Sequence, residues 1–292
     1  MRLVERHATG REYLDLVTVL LQRIRLDSAD GGVWEAADLQ WAWRRDQHTD
    51  PNRATFWMDA DDRPVAAVVI SERLACDLMV RPTASHLLPA MWNRAEEALK
   101  KLRGVGVEMA VRDDDATTIA LALEAGFVAD DDIAVSCWLE AADRPGISDL
   151  APGYRLRSRV DAPTSAHHMI KRNGEHVAER LSECSLYDPS FDLFVQAPDG
   201  SVAAYGLFWP DPVTGVGLVE PMRTEDAHQN RGLARHILTA GIERLAASGC
   251  ARMRITYMDD NPASKHIYRS AGFQPAETAR TYRRSQRSVE QG

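Results

Sequence analysis

Cysteine is scarce in this sequence: the four residues Cys76, Cys137, Cys184 and Cys250 stand singly. They lack the close paired spacing that zinc sites and redox motifs use, so buried free thiols are expected. No apolar run approaches the ~20 residues needed to cross a bilayer. The opening segment Met1–His7 has no apolar core of the leader type, so no membrane partner and a cytoplasmic location are expected. A basic surplus is missing too. Residues 1–150 hold 17 Lys and Arg against 27 Asp and Glu, a balance of −10, and residues 151–292 hold 18 against 16, a balance of +2. Nucleic acid is therefore not expected as a partner, because phosphate backbones call for a basic face. An acidic half is compatible with a cationic substrate and equally with a surface kept soluble by charge.

Metal motifs are absent as well. Asp113-Asp114-Asp115 and Asp130-Asp131-Asp132 lack the loop pattern of calcium sites. His167 and His168 fall where a helix is expected, and adjacent helical residues point about 100° apart. No carboxylate or cysteine set at ligand spacing accompanies them, so no metal is expected.

What is present is ordinary globular composition, with 45% hydrophobic and 27% charged residues over 292. That length exceeds the usual domain, so two domains are expected. The stretch from Ala141 to Gly153 is polar and broken by proline and glycine. It is read as a linker between a domain at 1–140 and another at 154–284, with a tail at 285–292. In the second half, a strand near 154–157, helices over much of 162–184 and strands at 191–196, 202–209 and 216–222 are expected. A helix follows from Gly232 to Gly249, with Leu233, Ile237, Leu238, Ile242 and Leu245 on one face. A strand at 253–257, a short helix opened by Asn261-Pro262 and a terminal strand from Phe273 complete the half. The first half reads in similar order, with helices at 11–26 and 35–46 and strands at 54–58, 64–72 and 74–81. A helix at 86–102, a strand at 105–111, a helix at 116–125 and a strand from Phe127 follow. Leu123-Glu124-Ala125-Gly126-Phe127 repeats as Arg269-Ser270-Ala271-Gly272-Phe273, which suggests two copies of one fold.

The chemical signal lies at Gln229-Asn230-Arg231-Gly232-Leu233-Ala234, between a strand and a long helix. Such a turn presents unpaired N–H groups and the positive end of the helix dipole, so it can hold a pyrophosphate. Taken alone, a loop–helix junction with one glycine is a weak signal. The hexapeptide resembles the Q/R-x-x-G-x-G/A acyl-CoA signature of the GNAT superfamily of N-acetyltransferases. The strand Leu218 to Thr224 before it and the segment Asn261 to Phe273 after it resemble the same superfamily in the same order.

The resemblance implies an α/β fold: two GNAT-like domains in tandem, each a central twisted, mostly antiparallel sheet flanked by helices. It implies acetyl-CoA as co-substrate, with Gln229, Asn230, Arg231, Gly232, Leu233 and Ala234 at the pyrophosphate. Met222 and Thr224 would lie along the pantetheine arm on a splayed strand, Asn261 would reach that arm, and Tyr268 would stand near the sulfur. An ammonium must lose a proton before it attacks, and a departing thiolate is helped by gaining one. Glu220 is the candidate base and Tyr268 the candidate acid. A charged residue at a sheet surface and a packed helix residue are the plainer readings of the two.

The resemblance thus points to an acetyl-CoA-dependent N-acetyltransferase acting on a primary amine, first a small molecule and second a protein amine. A non-catalytic acyl-CoA-binding sensor or scaffold is the alternative. A homodimer is allowed, but nothing in the sequence argues for it. In the first half Ala122 stands where Tyr268 does and Asp115 where Asn261 does, and Arg81 to Leu88 holds no glycine. That half is expected to be a non-binding copy that helps wall the substrate site or serves a purely structural role. Its Trp34, Trp41, Trp43, Trp57 and Trp92 fit a core better than an aromatic pocket.

Overall fold

The computed structural model describes residues 3–45, 48–71, 74–101, 106–163 and 165–285. It comprises two compact units, Met1–Ala134 with Glu277–Gly292, and Val135–Ala276.

The first unit opens with β1 (Val4–His7), α1 (Gly10–Asp27) and α2 (Ala36–Ala42). Helix α1 forms because Tyr13, Leu14, Val17, Leu20, Leu21 and Ile24 recur at helical spacing, and all are buried. Arg25 in its last turn reaches the Glu35 carboxylate with Nε at 3.2 Å and Nη2 at 2.5 Å. Glu35 and Asp38 in turn close a capping box on α2. Strands β2 (Ala54–Met58), β3 (Pro64–Ile70) and β4 (Cys76–Val80) extend an antiparallel sheet in the order β1-β2-β3-β4. Every residue of β2 and β3 is buried, as expected of strands covered on both faces. Then come α3 (Leu88–Lys101), β5 (Val107–Arg112), α4 (Ala116–Glu124) and β6 (Val128–Glu140).

The second unit contains β7 (Arg155–Ser158), α5 (Ile170–Asn173), α6 (Val177–Ser182), β8 (Asp192–Gln196), β9 (Val202–Asp211) and β10 (Val216–Thr224). These are followed by α7 (Leu233–Ala247), β11 (Arg252–Met258), α8 (Pro262–Ser270) and β12 (Gln274–Arg284). Its strands run in the order β6-β11-β10-β9-β8-β7. Neighbours from β7 to β10 are antiparallel, whereas β10 and β11 are parallel. Helix α7 packs so closely on β9 that a Cβ at Gly241 would come within 2.1 Å of the Phe208 ring. Only glycine fits there.

The chain changes unit twice, once within β6 and once within β12. The last part of β12 pairs antiparallel with β5, Ala279 opposite Arg112 through Arg284 opposite Val107. Residues 135–140 of β6 lie beside β11 in the second unit, where Val135, Cys137, Trp138 and Leu139 are buried. The expected linker at 141–153 falls inside the second unit, and Ala141–Asp143 forms a 3-10 turn there. The expected tail lies outside the described residues except for Ser285.

The short helices of the sequence repeat are built alike. Asp115 caps α4 by accepting from the Thr118 N–H at 3.0 Å, and Asn261 caps α8 by accepting from the Ser264 N–H at 3.1 Å. Beyond each helix a left-handed glycine, Gly126 or Gly272, turns the chain. The Phe127 N–H then reaches the Ala122 carbonyl, and the Phe273 N–H the Tyr268 carbonyl. All four cysteines are buried free thiols. Among the described residues no helix is long and apolar enough to cross a membrane.

Two further expectations, both of secondary structure, differ from the structure. The helices expected over 162–184 shrink to α5 and α6, because Gly174 takes a left-handed φ of 88° and stops the first. Strand β1 was not expected, since Val-Glu-Arg-His carries little strand pattern.

Candidate active site

In the second unit, β10 and β11 pair at Val216–Leu218 with Arg252–Arg254. Beyond that point no pairing between them is formed among the described residues, although β10 runs on to Thr224 and β11 to Met258. The two strands therefore part, leaving backbone groups on the facing edges for another extended chain. On its other edge β10 pairs with β9, and the register slips between Val219 and Met222. That bulge contains Glu220 and Pro221, joined by a cis peptide bond. The Trp209 indole donates to the Glu220 carbonyl at 2.7 Å, tying the bulge to β9. Met222 and Thr224 follow, opposite Gly206 and Ala204 of β9. The Thr224 hydroxyl is buried without a hydrogen-bond partner among the described residues.

After β10 the chain makes a 3-10 turn at Asp226–His228, held by the Tyr154 hydroxyl at 3.0 Å from His228 Nδ1. Gln229 reaches back to Asp226 at 3.2 Å. Asn230 and Gly232 both take left-handed φ, 59° and 75°, and Gly232 is the residue from which α7 starts. A Cβ at Gly232 would meet nothing within 4 Å, so the space over the loop is open. Residues 229–232 are exposed while Leu233 is buried and anchors the helix. The first-turn N–H groups of α7 have no partner within the helix and point outward. Left-handed residues, outward N–H groups and open space together suit a pyrophosphate, and the parted strands suit a pantetheine arm. Asn261 uses its Oδ1 to cap α8, leaving its amide nitrogen for any ligand contact.

Tyr268 is half-buried on α8, between the rings of Tyr257 and Phe273. Burial and then the nearby negative charge of Glu220 push its phenol up to about 12, against a smaller opposing hydrogen bond from Ser264. Glu220 and Tyr268, far apart in sequence, are thus within electrostatic reach of each other.

A second cluster is missing from the sequence reading. His167 and His168 lie in a turn ahead of α5, not in a helix, and their rings stack with centroids 4.7 Å apart. Both Nε2 atoms face Asp192, at 3.0 Å and 3.1 Å, and the Tyr187 hydroxyl donates to it at 2.9 Å. The expected divergence of adjacent helical residues does not apply, and a carboxylate does accompany the pair. Their ligand atoms lie within 4.8 Å of one another. The donor set nevertheless suits a metal poorly. His167 Nδ1 accepts the Met169 N–H at 3.2 Å, which leaves the ring proton on Nε2, on the side facing Asp192. Burial pushes the Asp192 carboxyl up, but the hydrogen bond from His167 and the neighbouring His168 ring outweigh it and bring it down to about 2. Burial lowers His168. His167, Tyr187 and Asp192 form a buried hydrogen-bonded network bracing the turn before α5 against β8, with the His168 ring stacked beside it.

Residues 154–273 match the acetyltransferase (GNAT) family profile. The second unit carries a GNAT acetyltransferase domain. Solved structures extend the likeness to the whole chain. A GCN5-related N-acetyltransferase from Sphaerobacter thermophilus superposes with a TM-score of 0.63 at 14% identity, covering 98% of this chain and 96% of its own. A tandem GNAT protein from the clavulanic acid biosynthesis pathway gives 0.69 at 13%, covering 99% and 100%. Likeness at such identities concerns the fold, and the fold is two GNAT-like domains in tandem. Among curated proteins, a mycothiol acetyltransferase of Nocardioides sp. is 29% identical over 134 residues, 41% of this chain and 45% of that relative. One from Clavibacter michiganensis is 30% identical over 107 residues, 37% and 34% of the two chains. The matched stretch covers less than half the length of either relative. No residue pattern in the sequence had singled these relatives out.

Proposed function

We propose that the second unit transfers an acetyl group from acetyl-CoA to a primary amine of a small molecule by direct attack. The observation that carries this reading is the parting of β10 from β11 beyond Leu218 and Arg254, with Glu220 on β10 within electrostatic reach of Tyr268. In it, the loop 229–234 holds the pyrophosphate, and Met222, Thr224 and the Asn261 amide line the pantetheine. Glu220 takes the proton of the attacking ammonium, directly or through water. Backbone N–H groups of β10 stabilise charge growing on the carbonyl oxygen. Tyr268 hands its proton to the departing thiolate, and burial keeps that proton in place until it is needed. The name of the curated relatives, mycothiol acetyltransferase, supports a small-molecule acceptor over a protein one.

The test is free-thiol release from acetyl-CoA in the presence of a panel of small amines, preceded by thermal unfolding with and without acetyl-CoA. Stabilisation by acetyl-CoA together with amine-dependent thiol release is expected. Stabilisation without thiol release for any amine would favour a non-catalytic acyl-CoA sensor.

A further inference from the structure

The first unit keeps more of a ligand site than its sequence suggests. Just ahead of β4, Ala75 bridges in parallel to Glu108 of β5, where the Glu108 N–H reaches the Leu74 carbonyl at 3.1 Å. Glu108 stands as far ahead of the cap Asp115 as Arg254 stands ahead of the cap Asn261, so the Ala75–Glu108 contact corresponds to the Leu218–Arg254 pair. Two positions beyond Ala75 is Asp77; two beyond Leu218 is Glu220. A carboxylate thus occupies the same step on both strands.

Beyond that step lies a cavity of about 150 Å³, walled by Ile24, Trp34, Met79, Met109 and Val111, with Asp77 on its lining. A cavity of this size holds a six-membered ring. Asp77 is 8% exposed. Its Oδ1 accepts the Trp34 indole N–H at 2.9 Å, and no hydrogen bond engages Oδ2 among the described residues. Burial pushes the carboxyl up to about 6, against the Trp34 hydrogen bond and the nearby His48, with Glu108 adding to the rise. A buried carboxylate with one donor is costly to keep ionised, and a cation beside it removes most of that cost. Trp34, with an apolar ring and a donor on Asp77, is a cavity wall and not only core.

Among its described residues the first unit gives no comparable place for a diphosphate. Ahead of α3 the chain forms a 3-10 turn at Pro82–Leu87, and none of its residues takes a left-handed φ. Ala122 supplies no phenol at the position of Tyr268. What remains is the Asp77 carboxylate, an indole and apolar walls, with Arg112, Asp115 and Thr118 also on the lining. We propose that this cavity binds a small alkylammonium ion, with Asp77 as its counter-ion and the Trp34 side of the cavity around its hydrocarbon part. The other charged groups of the surroundings are His48, Glu108 on β5, Arg112, which is paired with Asp114, and Asp115, which caps α4.

The probe is cyclohexylammonium, with cyclohexanol as the neutral control, added to the full chain with ¹⁵N-labelled tryptophan. The Trp34 indole signal, identified as the one lost in Trp34→Phe, reports on the Asp77 hydrogen bond. Saturable movement of that signal at pH 7.5 is expected, unchanged in Glu220→Gln and abolished in Asp77→Asn. In the wild type, affinity should fall roughly tenfold at pH 5, where most of the Asp77 carboxylate is protonated. That comparison decides the matter should Asp77→Asn not fold. Equal binding of cyclohexanol, binding that persists in Asp77→Asn, binding lost in Glu220→Gln, or no movement of the signal would each overturn the proposal. None of these results bears on acetyl-CoA stabilisation of the second unit, so the two readings fail separately.

Discussion

The Glu220 carboxylate lies close enough to the Tyr268 phenol to help hold its proton in place, second only to burial in pushing the phenol up to about 12. The sign has a kinetic consequence. In its proposed role Tyr268 must be protonated to act, and it stays protonated throughout the neutral and moderately alkaline range. The pH profile of kcat is therefore expected to show no descending limb from Tyr268 below about pH 11. Tyr268→Phe should lower kcat by about 10²-fold or more while acetyl-CoA stabilises the variant as it does the wild type. A variant with unchanged kcat would remove the phenol from the mechanism.

Glu220→Gln separates binding from turnover. The amide keeps the shape of the side chain, and the Trp209 bond to the backbone carbonyl is untouched by the change. Stabilisation by acetyl-CoA should persist, whereas amine-dependent thiol release should fall by about 10²–10⁴-fold. Retained turnover would show that another group, or water alone, takes the ammonium proton.

Gly232 combines a left-handed φ of 75° with open space where a side chain would project. Gly232→Glu would put a negative charge into the space proposed for the pyrophosphate, and the φ adds about 1 kcal/mol of backbone strain. The rise in Tm with acetyl-CoA should vanish, while the unliganded protein melts only a few degrees lower. An undiminished rise would move the pyrophosphate elsewhere.

Much of this was legible because it is local. The loop at 229–234, the capped helix from Pro262 to Ser270 and the repeat at Gly126-Phe127 and Gly272-Phe273 are each carried by a few adjacent residues, and the structure forms them as such. The histidine network was hidden because its meaning is tertiary. Asp192, in a strand that otherwise reads as apolar, becomes the partner of His167 and His168 only once the turn before α5 folds against β8. Asp77 was unreadable for a related reason: its equivalence to Glu220 follows from strand register, not from any shared motif.

Asp192 makes a pH prediction with a definite sign. Its carboxyl is lowered to about 2 in the folded chain, below the ordinary ~3.9 of an unfolded aspartate. The stabilisation is present above about pH 4 and is lost as pH falls towards 2, on the order of 2–3 kcal/mol in all. Asp192→Asn should flatten this part of the stability curve and cost about 3 kcal/mol at neutral pH, because buried donors lose a charged acceptor. Denaturant unfolding of both proteins between pH 2 and 7 measures it, and parallel curves would contradict it.

The passage of β6 into the second unit predicts where that unit can be cut. Residues 135–140 lie beside β11, and Arg254 donates to the Ser136 hydroxyl at 2.8 Å. Val135, Cys137, Trp138 and Leu139 are all buried there, a contribution of about 1.5–3 kcal/mol for each large apolar side chain, as an upper estimate. A fragment of residues 154–284 lacks this strand and exposes the edge of β11 to pairing with other chains. It also keeps the end of β12 without β5, its partner at Val107–Arg112. A fragment of 135–276 retains the first strand and sheds the second. It should melt cooperatively, whereas 154–284 should aggregate or lose its transition. Cooperative melting of 154–284 within a few degrees of 135–276 would show that the β6 segment is dispensable to the second unit.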